Sequence, residues 1–415
     1  MSIKRPMNIA LVSQEYPPET AHGGIGTQTF TKARGLSHLG HKVFVISHSV
    51  DSKRHERREG EISVIRIPGM QNEISDMTDI VQWLTYSVMV ASEIEDLHQR
   101  VSLDIVDFPE WAAEGYVYLL NRKDWKRVPV VIQLHGPLVM FGHKMKWPDI
   151  NSEFYRIGTQ MEATCVQLAD AVYSSSKCSA DWVQLYYNAG KDQIPTIHLG
   201  VDTKMFSPQQ IPRHTRTTIL FIGNVVQSKG IEELVEAASR LVKSFPDLCL
   251  RILGKGEEEY LQHLKQKAQQ LGAPFLLEFP GFIRKDELPA ELSKAHVFAA
   301  PSWYEGGPGF VYLEAMACGL PVVGCSGSGV DEIITSGKNG LLVRPKDVGA
   351  LEQALRKILG DKKLSEGMGS KAREYVLLKA DSNYCLKTLE SFYISVVESK
   401  EGKCMIAEDF KVQAI

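Results

Sequence analysis

Residues Thr218–Gly254 read TILFIGNVVQSKGIEELVEAASRLVKSFPDLCLRILG. The first run, Thr218–Gly223, is apolar without polar alternation and closes on glycine. A helical stretch, Gly230–Phe245, follows, and a second apolar run, Cys249–Gly254, comes after it. Continuous apolar strands joined through a helix are those of a parallel sheet covered on both faces. Read outward, the alternation continues. Strands are expected downstream at Leu276–Phe279, Val297–Ala300 and Pro321–Gly324, with helices at Glu257–Leu271 and Ala350–Leu359. Upstream, strands are expected at Asn8–Val12, Lys42–Ser47, Ser63–Ile67, Asp104–Phe108, Val128–Leu134, Ala171–Ser174 and Thr196–Leu199, with helices at Thr27–Leu39 and Ser152–Ala169. Repeated β-α units predict an α/β protein of doubly wound sheets.

The chain has 415 residues. One core rarely grows past about 300 residues, so two domains are expected. The segment Ser207–Thr217 (SPQQIPRHTRT) has no apolar period and separates the two strand series; it is the expected hinge. This places an N-terminal domain at 1–206, a second at 207–380, and a helix with a tail at 381–415. That last helix, Ser382–Val397, carries Tyr384, Leu386, Leu389, Phe392, Tyr393 and Val396 at helical spacing.

Composition is ordinary for a globular protein, 44% hydrophobic and 23% charged. A net charge of -3 supplies no basic field for nucleic acid. No apolar run approaches the ~18 residues of a membrane span, and the N-terminus runs into a strand without an apolar signal region, so a cytoplasmic protein is expected. Seven scattered cysteines without a CxxC pair fit buried free thiols and argue against structural zinc.

Three places carry candidate chemistry. Near the N-terminus, His22-Gly23-Gly24-Ile25-Gly26-Thr27 opens a helix after the first strand. Glycines there let backbone approach a phosphate at a helix N-terminus, although a tight turn needs them equally. The third glycine of the dinucleotide fingerprint is absent, Thr29 standing in its place. His135 ends a strand and precedes Gly136, where open α/β sheets bind ligands. In the second half, Lys229 lies beside a helix start after Gly223 and Asn224. Glu305 and Glu314 flank the loop Gly306-Gly307-Pro308-Gly309 that feeds the helix Phe310–Cys318. A lysine at a helix start suits a diphosphate, and a helical carboxylate can accept from both hydroxyls of a ribose.

These segments, with Gly281–Ser302, His198–Phe206, Val330–Val343 and the opening Ala10–Gly40, resemble glycosyltransferase family 4. The resemblance covers most of the chain and is weakest over Asp51–Ser102. It implies the GT-B architecture, two Rossmann-like domains facing a central cleft, with the last helix crossing back to the N-terminal domain. It also implies transfer of a hexose from a nucleotide-sugar donor with retention and without a metal ion or other cofactor.

Carried over, Gly23 and Gly24 would approach the donor phosphate and the acceptor, and His135 would hydrogen-bond the transferred sugar. Lys229, beside Gly223 and Asn224, would neutralise the diphosphate. Glu314 would bind ribose. Glu305 with the amides of Gly309 and Phe310 would hold sugar hydroxyls, and Glu332 reads as a loop anchor. Two departures stand out. Glu305 and Glu314 are nine positions apart where the family has eight, and Asn224 stands where the family has an arginine. UDP-glucose is the first donor expected. The acceptor is a glycan or glycolipid, or a small sugar phosphate. Basic clusters at Lys53–Arg58, Arg122-Lys123 and Lys126-Arg127 are either contacts for an anionic lipid or phosphorylated acceptor, or solvated charge. A nucleotide-sugar epimerase, a non-catalytic nucleotide-sugar binding module and a nicotinamide dehydrogenase are the competing readings.

Overall fold

The computed structural model describes residues 5–20, 24–51, 53–69, 79–123, 127–190 and 193–399. Contacts divide the chain into two units, 1–199 with 383–415 and 200–382.

The first unit runs β1 (Asn8–Val12), α1 (Gly24–His38), β2 (Lys42–Ser49), β3 (His55–Glu59), β4 (Ile62–Pro68), α2 (Asp79–Val101), β5 (Ile105–Pro109), α3 (Tyr116–Asn121), β6 (Val130–Leu134), α4 (Leu138–Met145), α5 (Glu153–Leu168), β7 (Ala171–Ser174) and α6 (Lys177–Tyr186). Among the described residues the sheet has seven strands in the order β3-β4-β2-β1-β5-β6-β7, parallel except for β3 on β4. The second unit runs β8 (Thr218–Ile222), α7 (Ile231–Leu241), β9 (Cys249–Leu253), α8 (Glu258–Gln270), β10 (Leu277–Gly281), α9 (Leu288–Lys294), β11 (Val297–Ala299), α10 (Phe310–Ala317), β12 (Val322–Cys325), β13 (Leu341–Val343), α11 (Val348–Gly360) and α12 (Lys362–Lys379). Its six-stranded sheet, β10-β9-β8-β11-β12-β13, is parallel throughout. The last helix, α13 (Ser382–Glu398), lies on the first unit from Asn383 onward.

Strands β1, β5, β6 and β8 are apolar because both of their faces are covered; Leu11, Ile105, Val131 and Leu220 are fully buried. Edge strand β3, sequence HERRE, is the opposite case. It is polar on both faces and largely exposed, so the apolar pattern gives no sign of it. Instead its arginines pair with carboxylates: Arg57 with Glu19 at 2.5 Å and Arg58 with Glu61 at 3.4 Å, beside Arg54 with Glu93 at 2.8 Å. Arg122 and Arg127 likewise pair with Asp170. The arginines of these clusters are thus paired with carboxylates of the same unit; Lys126 lies outside the described residues. At Thr196–Leu199 the expected strand is a single bridge from Thr196 to Ser174, because Pro195 and Gly200 leave too little chain for a ladder.

The Ser207–Thr217 stretch lies inside the second unit. Phe206 just before it is fully buried in that unit's core, and the amides of Gln209 and His214 donate to Ser293 Oγ (3.1 Å) and Lys294 O (2.9 Å). The chain enters and leaves this unit side by side, with the Val201 amide on Ala380 O at 2.8 Å and the Ser382 amide on Val201 O at 3.0 Å.

Helix α13 is tied to the first unit by apolar and polar contacts. Leu386 lies against Gly35 of α1 so closely that a Cβ there would overlap it. The rings of Phe392 and Tyr173 are 5.3 Å apart, and His41 Nε2 meets Glu390 at 2.9 Å. Tyr393 donates its hydroxyl hydrogen to Asp107, which also takes the Lys32 ammonium at 2.9 Å and the Tyr173 hydroxyl at 2.7 Å. This network is wholly enclosed: the Lys32 and Asp107 side chains are 4% and 0% exposed. Among the described residues, no helix is long and apolar enough to cross a membrane.

Candidate active site

In each sheet the strand order reverses beside the first strand of the unit: between β1 and β5 in the first, between β8 and β11 in the second. Ligands of open α/β sheets bind beyond the carboxyl ends of the strands at such a reversal.

In the second unit the loops after β8 and β11 meet there. Gly230, at φ 69°, packs against the Pro301 carbonyl, where a side chain would collide. The Trp303 amide donates to Ser228 O at 2.9 Å and its indole Nε1 to Glu233 at 3.0 Å. Across this seam Lys229 Nζ donates to Glu305 Oε1 at 2.6 Å, both side chains partly exposed. Glu305 O accepts the Gly329 amide at 2.9 Å, which ties in the loop after β12. Gly309 caps α10 at φ 71°, a left-handed conformation suited to glycine, and no side chain caps the helix, so its first amides, from Phe310 on, are not taken by a cap.

Glu314, inside α10, is 5% exposed. Burial pushes its carboxyl up to about 7, against the pull of the nearby Lys285 ammonium. No hydrogen bond joins its carboxyl to another described side chain, and neither of its oxygens is among the enclosed, unpartnered polar atoms of the described residues. Gly223 holds φ 152°, donating to Leu253 O at 3.0 Å, with Asn224 following. Glu332 accepts the Tyr375 hydroxyl on its backbone oxygen at 3.2 Å, which suits an anchoring part.

In the first unit, Gly24 opens α1 in open space, with nothing within 4 Å of a built Cβ. Gly23 lies outside the described residues. The amide of Gly26 is taken by Glu15 Oε2 at 3.3 Å, so this helix start already carries a carboxylate. Sequence reasoning missed that cap. It also missed Arg66, which is buried and binds the turn before α1 through Tyr16 O (2.9 Å) and Thr20 Oγ1 (2.9 Å). His135 is half-buried at the end of β6, with Nδ1 enclosed and without a partner among the described residues. Burial, helped by the Lys32 charge, holds its imidazole well below the ordinary histidine range, so it is neutral. The same unit holds three buried carboxyls that no motif announced: Glu110, Glu114 and Glu162. Burial raises Glu110 to about 7 and Glu114 to about 8. Among the described residues no group of three or more histidine, cysteine, aspartate or glutamate side chains is arranged to hold a metal ion.

Comparison with known proteins matches the same two regions. The Glycosyltransferase Family 4 profile covers residues 22–205, and the Glycosyl transferases group 1 profile covers 203–375. A GDP-mannose-dependent alpha-(1-6)-phosphatidylinositol monomannoside mannosyltransferase of Mycolicibacterium smegmatis is 32% identical over 69% of this chain and 75% of its own. A glycogen synthase of Mycobacterium tuberculosis is 26% identical over 89% of this chain and 90% of its own. In three dimensions a sucrose-phosphate synthase from Thermosynechococcus elongatus superposes with a TM-score of 0.79 at 21% identity, over 94% of this chain and 99% of its own. The chain belongs to the group 1, family 4 glycosyltransferases and has the GT-B fold with two Rossmann-like domains. It is a glycosyltransferase that takes its sugar from a nucleotide-sugar donor.

Proposed function

We propose that this enzyme moves a hexose to a hydroxyl of a carbohydrate acceptor with retention of configuration and without a metal ion. The observation that carries the donor half is the Lys229–Glu305 ion pair at 2.6 Å, where the loops after β8 and β11 meet, with Glu314 on the helix that the Glu305 loop feeds. Glu314 accepts from the two ribose hydroxyls. Lys229 and the first amides of α10 face the diphosphate, so negative charge has a partner as it develops on the leaving group. His135, being neutral, orients the sugar. The bond from the anomeric carbon to the diphosphate breaks as the acceptor oxygen bonds on the same face, and the acceptor proton passes to the departing phosphate oxygen. No protein base is required. The acceptor is a glycan, a glycolipid or a small sugar phosphate. UDP-glucose is the first donor to test, and GDP-mannose the second because the mannosyltransferase relative is GDP-mannose-dependent.

The test is calorimetric titration with UDP-glucose, UDP-N-acetylglucosamine, GDP-mannose, ADP-glucose and NAD. One sugar nucleotide binds the wild type. Glu314→Ala weakens it by roughly 10- to 100-fold, the worth of hydrogen bonds to a charged group. Binding of NAD alone, or of nothing, sinks the reading.

A pH series adds a check on the same residue. The ionised carboxylate is the better acceptor, and the donor's diphosphate, esterified at both ends, does not titrate near neutrality. Affinity therefore rises as pH climbs through about 7, the raised value of Glu314, and Glu314→Gln flattens the rise. A flat wild-type profile would remove Glu314 from the ribose.

A further inference from the structure

Glu110 is the first residue after β5 and is fully buried. Its Oε1 accepts two amide hydrogens, from His135 at 2.7 Å and from Gly136 at 2.5 Å. Those two amides bracket the α-carbon of His135. One sets φ of that residue and the other sets ψ, so a single oxygen fixes the direction of its Cα–Cβ bond. The turn beyond is held the same way. Glu162, also fully buried, accepts the Leu138 amide at 2.8 Å and the Tyr187 hydroxyl at 2.6 Å. Gly136 fits because a Cβ there would lie 2.9 Å from the Phe141 ring.

Two features make this an expensive way to brace a loop. Glu110 Oε2 is enclosed with no hydrogen-bond partner among the described residues. The backbone directly after Glu110 is strained as well. Ala112 and Ala113 stand at φ 61° and 47°, in the left-handed region that residues with a Cβ avoid. Strain and unsatisfied burial persist together where function, rather than stability, selects the arrangement.

We propose that Glu110 is a positioning residue for sugar transfer: it acts through the backbone of residues 135 and 136 to set where the imidazole of His135 stands. The inference rests on the role given to His135 above. What Glu110 must supply is one acceptor oxygen at one place. Its charge is not required, and a glutamine carbonyl can do the same work.

The test uses the full-length enzyme with Glu110→Gln, Glu110→Ala and Glu110→Asp. The first readout is the imidazole Cε1–H resonance of His135 in protein carrying 13C-labelled histidine, assigned by its absence in His135→Ala. The second is kcat for cleavage of the sugar nucleotide that wild type binds, set against the calorimetric Kd. Glu110→Gln is expected to keep the resonance in place and kcat within about threefold. Glu110→Ala is expected to move or broaden the resonance and lower kcat at least tenfold, with Kd changed by no more than about twofold. Should Glu110→Ala fail to fold, Glu110→Asp keeps the carboxylate but shortens its reach by a methylene, and the same split is expected.

An unmoved resonance with unchanged turnover in Glu110→Ala overturns the proposal. So does a Glu110→Gln that loses as much turnover as Glu110→Ala, since that would assign the charge rather than the acceptor. If wild type cleaves no donor, the functional reading has failed, and the resonance still decides whether Glu110 positions the ring. If wild type turns over and His135→Ala does so equally well, only the role of His135 falls.

Discussion

Asp107→Ala is expected to be the most destabilising single change in the first unit, at about 3–5 kcal/mol, the cost of breaking a buried ion pair from one side. The alanine leaves the Lys32 ammonium enclosed without its 2.9 Å partner and deprives the Tyr393 hydroxyl of its acceptor, while the Tyr173 hydroxyl keeps Gln133 Oε1 at 3.1 Å. For a unit of this size that is a fall in Tm of about 10 °C, read by scanning calorimetry. The double variant Lys32→Met with Asp107→Leu recovers much of the loss, because an apolar pair of similar volume leaves nothing unpaired. Tyr393→Phe costs only about 1 kcal/mol, since the ion pair survives it. A loss below about 1 kcal/mol in Asp107→Ala would mean that water reaches Lys32 and that the network is not closed.

Lys229→Ala is expected to have the largest effect on chemistry, lowering kcat by about 100- to 1,000-fold, the usual worth of one preorganised group facing developing charge. Lys229→Arg restores only part of this, because a planar guanidinium does not replace a compact ammonium at a single oxygen. Turnover within tenfold of wild type in Lys229→Ala would assign the diphosphate to other groups. The partner carboxylate gives a second, separable result. If Glu305 holds sugar hydroxyls, Glu305→Gln loses turnover. If it only holds Lys229, at 2.6 Å, the same change keeps turnover and tightens the product diphosphate by freeing the ammonium.

Much of the scaffold was legible because parallel strands buried on both faces are written as unbroken apolar runs. β1 and β7 begin and end where those runs do. What was not legible had no such mark. β3 is an exposed edge strand whose five polar residues read as a basic cluster, although every arginine in it answers a carboxylate from elsewhere. Glu110, Glu114 and Glu162 were equally silent. A glutamate in sequence reads as surface, and only packing on all sides turns it into a buried acceptor with a carboxyl lifted towards neutrality.

The candidate site divides along the same line. Glycines at strand ends, a lysine before a helix and a glutamate within one are local signals, and the sequence by itself determined their family and the chemistry they suit. That Lys229 meets Glu305, 76 positions away, follows from β8 and β11 lying side by side at the reversal of the sheet. That Glu110 reaches the amides of residues 135 and 136 follows from β5 lying beside β6. Strand order is settled by how helices pack over both faces of a sheet, a property of the whole unit. The residue types were therefore given along the chain, while the pairs they form, and which carboxyls lost their water, were decided only when the strands took their places.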